Sequence, residues 1–330
     1  MSNDYLAFEN RSNLPAADGR VGVVIPVFNR RTTLLETLPY IARQTHAPAR
    51  VVIVDDGSTD GTADAAETWL AASRPCFGWR VVRCAHTSAA SARCVGFKFV
   101  RDLPWVAYLD SDDHWPIDFL ARAVGALTAD CSAVAASADR AYFNAAGNLA
   151  AADDMREMVA DPIPWIFLNG AGIASCTVVG SQAVHQVGGW QPELGSAEDA
   201  AFFAKIAAEG TWLHLPGEPV DFHLGSAGSR QEENNLTHRF ADRNLRWARV
   251  FEQIYEDALE CQPMLNSRQL RAALSRRWCA AAKQLSQLGR VDEAREAAQR
   301  AIHWRSTYFR AWQWRVRLAL SPAQSVRRAA

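Results

Sequence analysis

The chain has no C-x-x-C pair, no apolar run approaching about eighteen residues, and no glycine in the turn after its first hydrophobic segment. Each absence removes a class of protein. Its seven cysteines, Cys76, Cys84, Cys94, Cys131, Cys176, Cys261 and Cys279, are odd in number and scattered, so neither a disulfide framework nor a zinc site is expected. A reducing cytoplasm is the expected setting. Without a long apolar run no membrane span is expected, and Met1-Ser2-Asn3-Asp4-Tyr5 lacks the basic and then apolar pattern of a secretory leader. The turn Pro26-Val27-Phe28-Asn29-Arg30 carries no G-x-G-x-x-G, which removes most support for a bound nicotinamide dinucleotide. A formal net charge of -1 gives no reason to expect nucleic acid as a partner.

What is present is an ordinary globular composition over 330 residues, enough for one large domain and a smaller one. The near balance of charge hides an asymmetry. From Met264 onward fourteen Arg or Lys face only Asp292, Glu293 and Glu296, so the carboxyl-terminal third is basic and the remainder acidic.

Residues 1–19 read as a polar lead-in. Val21-Gly22-Val23-Val24-Ile25 then reads as a buried strand, followed by a helix with Leu34, Leu35, Leu38 and Ile41 at helical spacing and Thr32 and Thr33 as expected caps. Val51 to Val54 forms a second strand, a helix runs through Ala63, Ala66 and Leu70, and a third strand is expected at Arg80 to Arg83. A helix from about Ser88 to Val100 precedes the strand Val106-Ala107-Tyr108-Leu109. Strand alternating with helix predicts a mostly parallel α/β sheet, in which ligands collect beyond the carboxyl ends of the strands. Both acidic clusters of the chain lie there. In the first, Asp56, Ser58, Asp60, Gly61 and Glu67 match EF-hand spacing, but such a loop is entered from a helix, and this one follows a β-branched run.

The second cluster is Asp110-Ser111-Asp112-Asp113. Alternation along an extended segment would point Asp110 and Asp112 to one side, where a hard divalent cation shared with a phosphate would relieve their mutual repulsion.

In order and spacing, several stretches resemble the family 2 glycosyltransferases of the GT-A fold. They are Val23 to Asn29, Val52-Ile53-Val54-Asp55-Asp56-Gly57-Ser58-Thr59-Asp60-Gly61-Thr62, Ala92-Arg93, Leu109 to Asp113, Gly188-Gly189-Trp190, Glu198-Asp199 and Phe222-His223. The resemblance covers residues 20–230 and implies a Rossmann-like sheet with helices on both faces. It also implies inverting transfer of a sugar from a nucleotide diphosphate donor, typically a UDP-sugar, to an acceptor hydroxyl, with Mg²⁺ or Mn²⁺.

Carried over by position, Pro26 and Phe28 would border the nucleotide, with the Phe28 ring against the base. Asp56 would accept from a base N–H, with Asp55 and Ser58 setting the loop, while Asp60 reads as a helix cap. Arg93 would reach the diphosphate. Family members usually follow that arginine with asparagine, where this chain has Cys94. Asp110, Ser111 and Asp112 would meet ribose and metal, with Asp112 the leading ligand and Asp113 and His223 completing the metal site. By family position Asp199 is the base, with Glu198 second; helix capping is the rival reading of that pair.

Residues 140–190 read as irregular, with Trp165, Phe167, Trp190 and Asn169-Gly170-Ala171-Gly172 lining an acceptor pocket for a glycan, glycolipid or protein. Gly225 to Arg230 reads as a flap over the donor. From 231 to 330 the pattern is helical and resembles a tetratricopeptide-type pair, which needs stacked neighbours and so is expected to pack on the catalytic domain or on another subunit of a homo-oligomer. The arginines and aromatics of this region suit, alternatively, the inner face of an anionic membrane. Two rivals remain. A sugar-phosphate nucleotidyltransferase would want a glycine-rich, lysine-bearing loop after the first strand, and a non-catalytic nucleotide-sugar-binding module would bind donor without turnover.

Overall fold

The computed structural model describes residues 19–223, 240–261 and 267–319. All but the last residue of the expected lead-in, and the whole expected flap from Gly225 to Arg230, lie outside the described residues. The described chain forms two compact units. The first takes residues up to Pro162, with Ala171–Glu193 and those from Phe202 to 223; the second takes Ile163–Gly170, Leu194–Ala201 and residues 240 onward.

The first unit is built on an eight-stranded sheet. Strands β1 (Val21–Val27), β2 (Arg50–Asp55), β3 (Gly78–Arg83) and β4 (Trp105–Tyr108) run parallel in the order β3-β2-β1-β4. Every residue of β1 is buried, which is why it reads as a continuous apolar run and not as an alternation. Parallel neighbours need crossovers, and α1 (Arg31–Ala42), α2 (Thr62–Ser73) and α3 (Ala89–Phe97) supply them.

The expected caps of α1 are corrected: Thr32 and Thr33 lie inside the helix, and neither caps it. Asp60 takes their place, its carboxylate accepting the Arg31 amide at 3.2 Å and the Thr62 amide at 3.0 Å, so one side chain serves the starts of α1 and α2. Ser88 caps α3 through the Ser91 amide at 3.1 Å.

Beyond β4 the sheet reverses. Strand β7 (Thr177–Gly180) is antiparallel to β4, and β5 (Ala133–Phe143) is antiparallel to β7. Strands β6 (Leu149–Asp153) and β8 (Thr211–His223) pair with β5, antiparallel and parallel respectively. Along the chain come helices α4 (Phe119–Ala129), α5 (Arg156–Ala160), α6 (Pro162–Asn169), α7 (Ser181–Gln186) and α8 (Glu198–Ala208), of which α6 from Ile163 and the start of α8 belong to the second unit. The fold is thus the expected α/β class, a central sheet flanked by helices, with carboxyl-terminal helices after it. Residues 140–190 are not irregular, as expected above: the end of β5, β6, α5, α6, β7 and α7 occupy most of them.

In the second unit α9 (Arg243–Cys261), α10 (Arg268–Gln287), α11 (Val291–Trp304) and α12 (Phe309–Ala319) follow one another. Gly289, at φ 74, makes the tight turn between α10 and α11. Small residues let the helices approach: Ala281, Ala282, Ala294, Ala297, Ala298 and Ala301 are all buried in one cluster. Glu252, itself buried, accepts from Arg300 and from the Trp304 indole, each at 2.5 Å. No described helix is long and apolar enough to cross a membrane.

The seat of α3 on β1 depends on one missing side chain. A Cβ on Gly96 would lie 2.3 Å from Val24 Cγ1, inside contact distance of a strand residue with no room to move. Gly96→Ala is therefore expected to lower unfolding free energy by roughly 1–3 kcal/mol, read as a shifted urea midpoint; an unchanged midpoint would contradict this packing.

Candidate active site

Strand β4 ends at Tyr108, and Asp110 to Asp113 form the turn that follows it. The expected alternation of Asp110 and Asp112 along an extended strand is therefore corrected: the turn, and not a pleat, sets their directions. Each acid has its own partner. Asp110 Oδ1 accepts from Arg93 Nη2 at 2.7 Å, and Asp112 Oδ2 faces Arg30 Nη1 at 3.2 Å. Asp113 is buried and accepts the Ser175 hydroxyl at 2.5 Å and the His223 amide at 3.3 Å.

Ser175 did not stand out in the sequence, yet it ties the turn together. Its Oγ accepts the Asp110 amide at 3.1 Å while donating to Asp113, and its carbonyl accepts the Trp115 indole at 2.6 Å. From the other side Thr37 Oγ1 of α1 donates to the Ser111 carbonyl at 3.1 Å. Gln44, just past α1, donates to the Pro116 carbonyl at 2.7 Å and accepts the Leu120 amide at 3.0 Å. An isolated serine, threonine or glutamine carries no pattern by which sequence alone would select it.

Crowding makes these carboxyls reluctant to ionise. Burial first, and the Asp110 charge second, push Asp112 above the usual carboxylate range, with Arg30 and His223 opposing. Burial, then Asp110 and Asp112, push the Asp113 carboxyl well above it.

The β2 turn lies at the carboxyl end of the neighbouring strands. Asp55 Oδ1 accepts the Ser58 amide at 2.9 Å, and the loop after β1 is stitched to this turn by Asn29 N–H to Ser58 Oγ at 2.8 Å. Asn29 adopts φ 49, a left-handed conformation that asparagine tolerates better than most residues. Pro26 sits within β1, paired with Val54. Asp56 is buried, its Oδ1 accepting the Thr87 amide at 2.9 Å and its Oδ2 facing His86 Nδ1 at 2.9 Å. The Phe28 ring is stacked on His86 with centroids 4.0 Å apart. In this structure, then, the ring and the carboxylate expected to meet a base both serve His86.

Gly188 and Gly189, at φ 78 and 76, turn the chain so that Trp190 packs inward. Its ring stacks on Phe202 at 4.3 Å, and the Arg93 guanidinium lies 4.4 Å from the ring centroid. The expected acceptor-pocket lining is corrected at two positions: Trp190 is 3% exposed and Phe167 1% exposed, both spent on packing. Trp190 is instead the floor beneath Arg93, a cation–π contact that adds to the Asp110 ion pair. Cys94 donates to the Trp190 carbonyl at 3.2 Å, and burial pushes its thiol up, away from nucleophilic use.

His223, at the end of β8, stands beside His114 with ring centroids 4.3 Å apart, and His114 stacks on Tyr40 at 4.1 Å. Backbone bonds between His114 and Asp221 (2.9 and 3.0 Å) bring β8 to the acidic turn. His223 Nδ1 is buried without a hydrogen-bond partner among the described residues. Carboxylates whose proton affinity is raised by crowding, with an unpartnered imidazole nitrogen nearby, suit a hard divalent cation. Among the described residues the set whose ligand atoms lie within 4.8 Å of one another is a different one, Asp139, Asp154 and His214. Its members are already engaged: His214 Nε2 with Asp139 at 2.8 Å, and Asp154 with Arg156, which lowers the Asp154 carboxyl to about 2.

Glu198 and Asp199 open α8, within the Leu194–Ala201 segment of the second unit. Asp199 Oδ1 accepts the Ala200 amide at 2.8 Å. Ala197, just before them, is held at φ 56, where a residue with a Cβ is strained by roughly 1–2 kcal/mol.

Residues 22–163 match the family model "Glycosyl transferase family 2". Over 103 residues the chain is 34% identical to a putative teichuronic acid biosynthesis glycosyltransferase, TuaG, of Bacillus subtilis, spanning 31% of this chain and 39% of that protein. Over 109 residues it is 38% identical to the validoxylamine A glucosyltransferase of Streptomyces hygroscopicus subsp. limoneus, spanning 30% of this chain and 22% of that protein. An uncharacterized glycosyltransferase of Rickettsia felis is 33% identical over 96 residues, 29% of this chain and 15% of its own length. The chain thus spans well under half of these relatives. Among solved structures, S. aureus TarS 1–349 in complex with UDP-GlcNAc superposes with a TM-score of 0.65 at 16% identity, covering 91% of this chain and 89% of that one. The mannosyltransferase PcManGT from Pyrobaculum calidifontis, in complex with GDP-Man and Mn2+, gives 0.56 at 21% identity, covering 94% and 88%. The fold is GT-A-like.

Because Asp112 and Asp113 bind protons more tightly folded than unfolded, ionising them costs stability. Stability contributed by these groups is fully present below the unfolded carboxylate range and falls as pH rises toward their raised folded values. Asp112→Asn removes one such group and relieves the other. Its melting temperature is expected to fall less than that of the parent chain between about pH 4 and pH 7; parallel pH profiles would contradict the crowding described here.

Proposed function

We propose that the chain is an inverting, metal-assisted glycosyltransferase that moves a sugar from a nucleotide diphosphate donor, a UDP-sugar first, to an acceptor hydroxyl in a surface glycan or glycoconjugate. The observation that carries this reading is the acidic turn after β4, whose carboxylates are held by Arg93, Arg30 and Ser175 at the carboxyl end of the parallel strands β1, β2 and β4. Support comes also from the family match over residues 22–163, and from nucleotide-sugar complexes among solved proteins of the same fold.

In this reading Asp112 is the chief metal ligand, with Asp110, Asp113 and His223 beside it. A bound Mn²⁺ or Mg²⁺ supplies positive charge next to the departing diphosphate. Few protein ligands are needed, since such ions take much of their coordination from phosphate and water. Arg93 releases part of its hold on Asp110 to face a diphosphate oxygen, its guanidinium kept in plane by Trp190. Pro26, Phe28, Asp55 and Asp56 border the nucleoside, and Ser111, with Asp110, the ribose. The acceptor hydroxyl attacks the anomeric carbon from the side opposite the diphosphate, so the new bond has inverted configuration. Its proton passes to Asp199, with Glu198 as the alternative, and the nucleoside diphosphate leaves. The assignment of Asp199 rests on its place in the family resemblance and on its setting after a strained residue at a helix start.

The same reading takes α9 to α12 as a tetratricopeptide-like extension. The short turn at Gly289 and the alanine-rich contacts of α10 with α11 support it.

The deciding measurement is release of UDP from UDP-sugars with Mn²⁺ and a glycan acceptor. Asp112→Asn and Asp199→Asn are each expected to lower turnover roughly 100-fold or more while keeping the parent circular dichroism spectrum. Full turnover in either variant would remove that residue from the mechanism. Stabilisation by UDP with no release under any donor would favour the non-catalytic binding module.

A further inference from the structure

Helix α12 carries a face that neither its packing nor the donor chemistry uses. Ala311 and Leu318 are buried against the helical cluster, while Phe309 is 71% exposed, Trp312 43% and Val316 58%. Spaced three and then four residues apart, these large side chains form a single stripe on one side of the helix. Arg310 and Arg317, seven apart, run along one border of the stripe, and Arg315 lies along the other.

The details suit a surface where water meets something apolar and anionic. The Trp312 indole donates to the Ser306 carbonyl at 2.7 Å, which fixes the ring, and Arg315 lies 5.7 Å from its centroid. Arg317 lies 5.2 Å from the Trp314 ring. After Glu296 the sequence contains no Asp or Glu, but it has Arg300, Arg305, Arg310, Arg315, Arg317, Arg327 and Arg328. Arg310, Arg315 and Arg317 are the only charged residues of α12, so two copies of this helix face would bring arginine against arginine, and charge disfavours self-association. An eleven-residue helix is also too short to span a bilayer, but long enough to lie in its surface.

We propose that α12 docks on the interface of an anionic lipid bilayer. Phe309, Trp312 and Val316 enter the boundary between headgroups and acyl chains, and Arg310 and Arg315 meet lipid phosphates. A glycosyltransferase would thereby work beside lipid-linked acceptors, though the docking itself does not depend on that activity.

Co-sedimentation of the 330-residue chain with vesicles tests it. The chain is expected to bind vesicles containing phosphatidylglycerol and to bind pure phosphatidylcholine weakly, with the difference shrinking as salt is raised. The double variant Phe309→Ser, Trp312→Ser is expected to lose at least about tenfold in vesicle affinity. Arg310→Gln and Arg315→Gln should each lose about fivefold on anionic vesicles only. Melting curves of the variants check that the helical unit stays folded. The proposal is overturned if the parent chain ignores anionic vesicles or if the folded double variant binds them equally. It is overturned too if sedimentation velocity reveals a dimer that the double variant dissolves, since the stripe would then be a contact between copies.

Discussion

Three carboxylates in four consecutive residues repel one another, and the first unit is arranged so that this repulsion is answered from three directions. Arg93 comes from α3, Arg30 from the loop after β1, and Ser175 from the segment entering β7. Such an arrangement exists only because β4 lies between β1 and β7 in the sheet. Strand order, which looks like a matter of fold, thus sets the electrostatics of the turn. Burial raises the stakes: inside a protein an uncompensated charge costs far more than at the surface, so each partner lost would be felt at the other carboxyls. A cluster so held is stable enough to fold, with its three carboxyls answered by two guanidinium groups and one hydroxyl.

Arg93 shows how packing makes a polar contact dependable. A guanidinium gripped only by Asp110 could swing about that one bond. With the Trp190 ring beneath it and the ring itself stacked on Phe202, its plane is fixed. Two glycines at positive φ make the bend that delivers the tryptophan, and Cys94 secures the same stretch by donating to its carbonyl. Cys94 therefore has a local use here: the thiol fastens the platform on which Arg93 rests.

Much of the first half of the sheet was legible because β1, β2 and β4 are buried on both faces and read as apolar runs. The second half was not. Strand β5 reads Ala-Val-Ala-Ala-Ser-Ala-Asp-Arg-Ala-Tyr-Phe, rich in a residue of low strand preference, and is extended because β6, β7 and β8 all pair with it. Pairing of that kind is a tertiary fact with no local signature. The same division holds at the site. Acidic runs at strand ends were visible, but the partner of each acid was not, since Arg93, Arg30 and Ser175 are brought in by elements far apart in the chain. Trp190 was noticed and misjudged: an aromatic in a glycine-rich stretch looked like a sugar-binding surface, and burial makes it a floor.

The imidazoles beside the acidic turn complete the electrostatic argument. Burial first, and then the neighbouring His223, lower His114 to about 4, so near neutral pH it carries no charge. A protonated ring at this position would set a further positive charge in the residue next to Asp113. Stacking on Tyr40 and the paired backbone bonds to Asp221 keep the ring in its half-buried place, which is what keeps it neutral. The mortise between β8 and the turn thus does two things at once: it brings His223 to the acids and holds His114 uncharged beside them. The acids of the turn are thus met by Arg93 and Arg30, and not by an imidazolium at position 114.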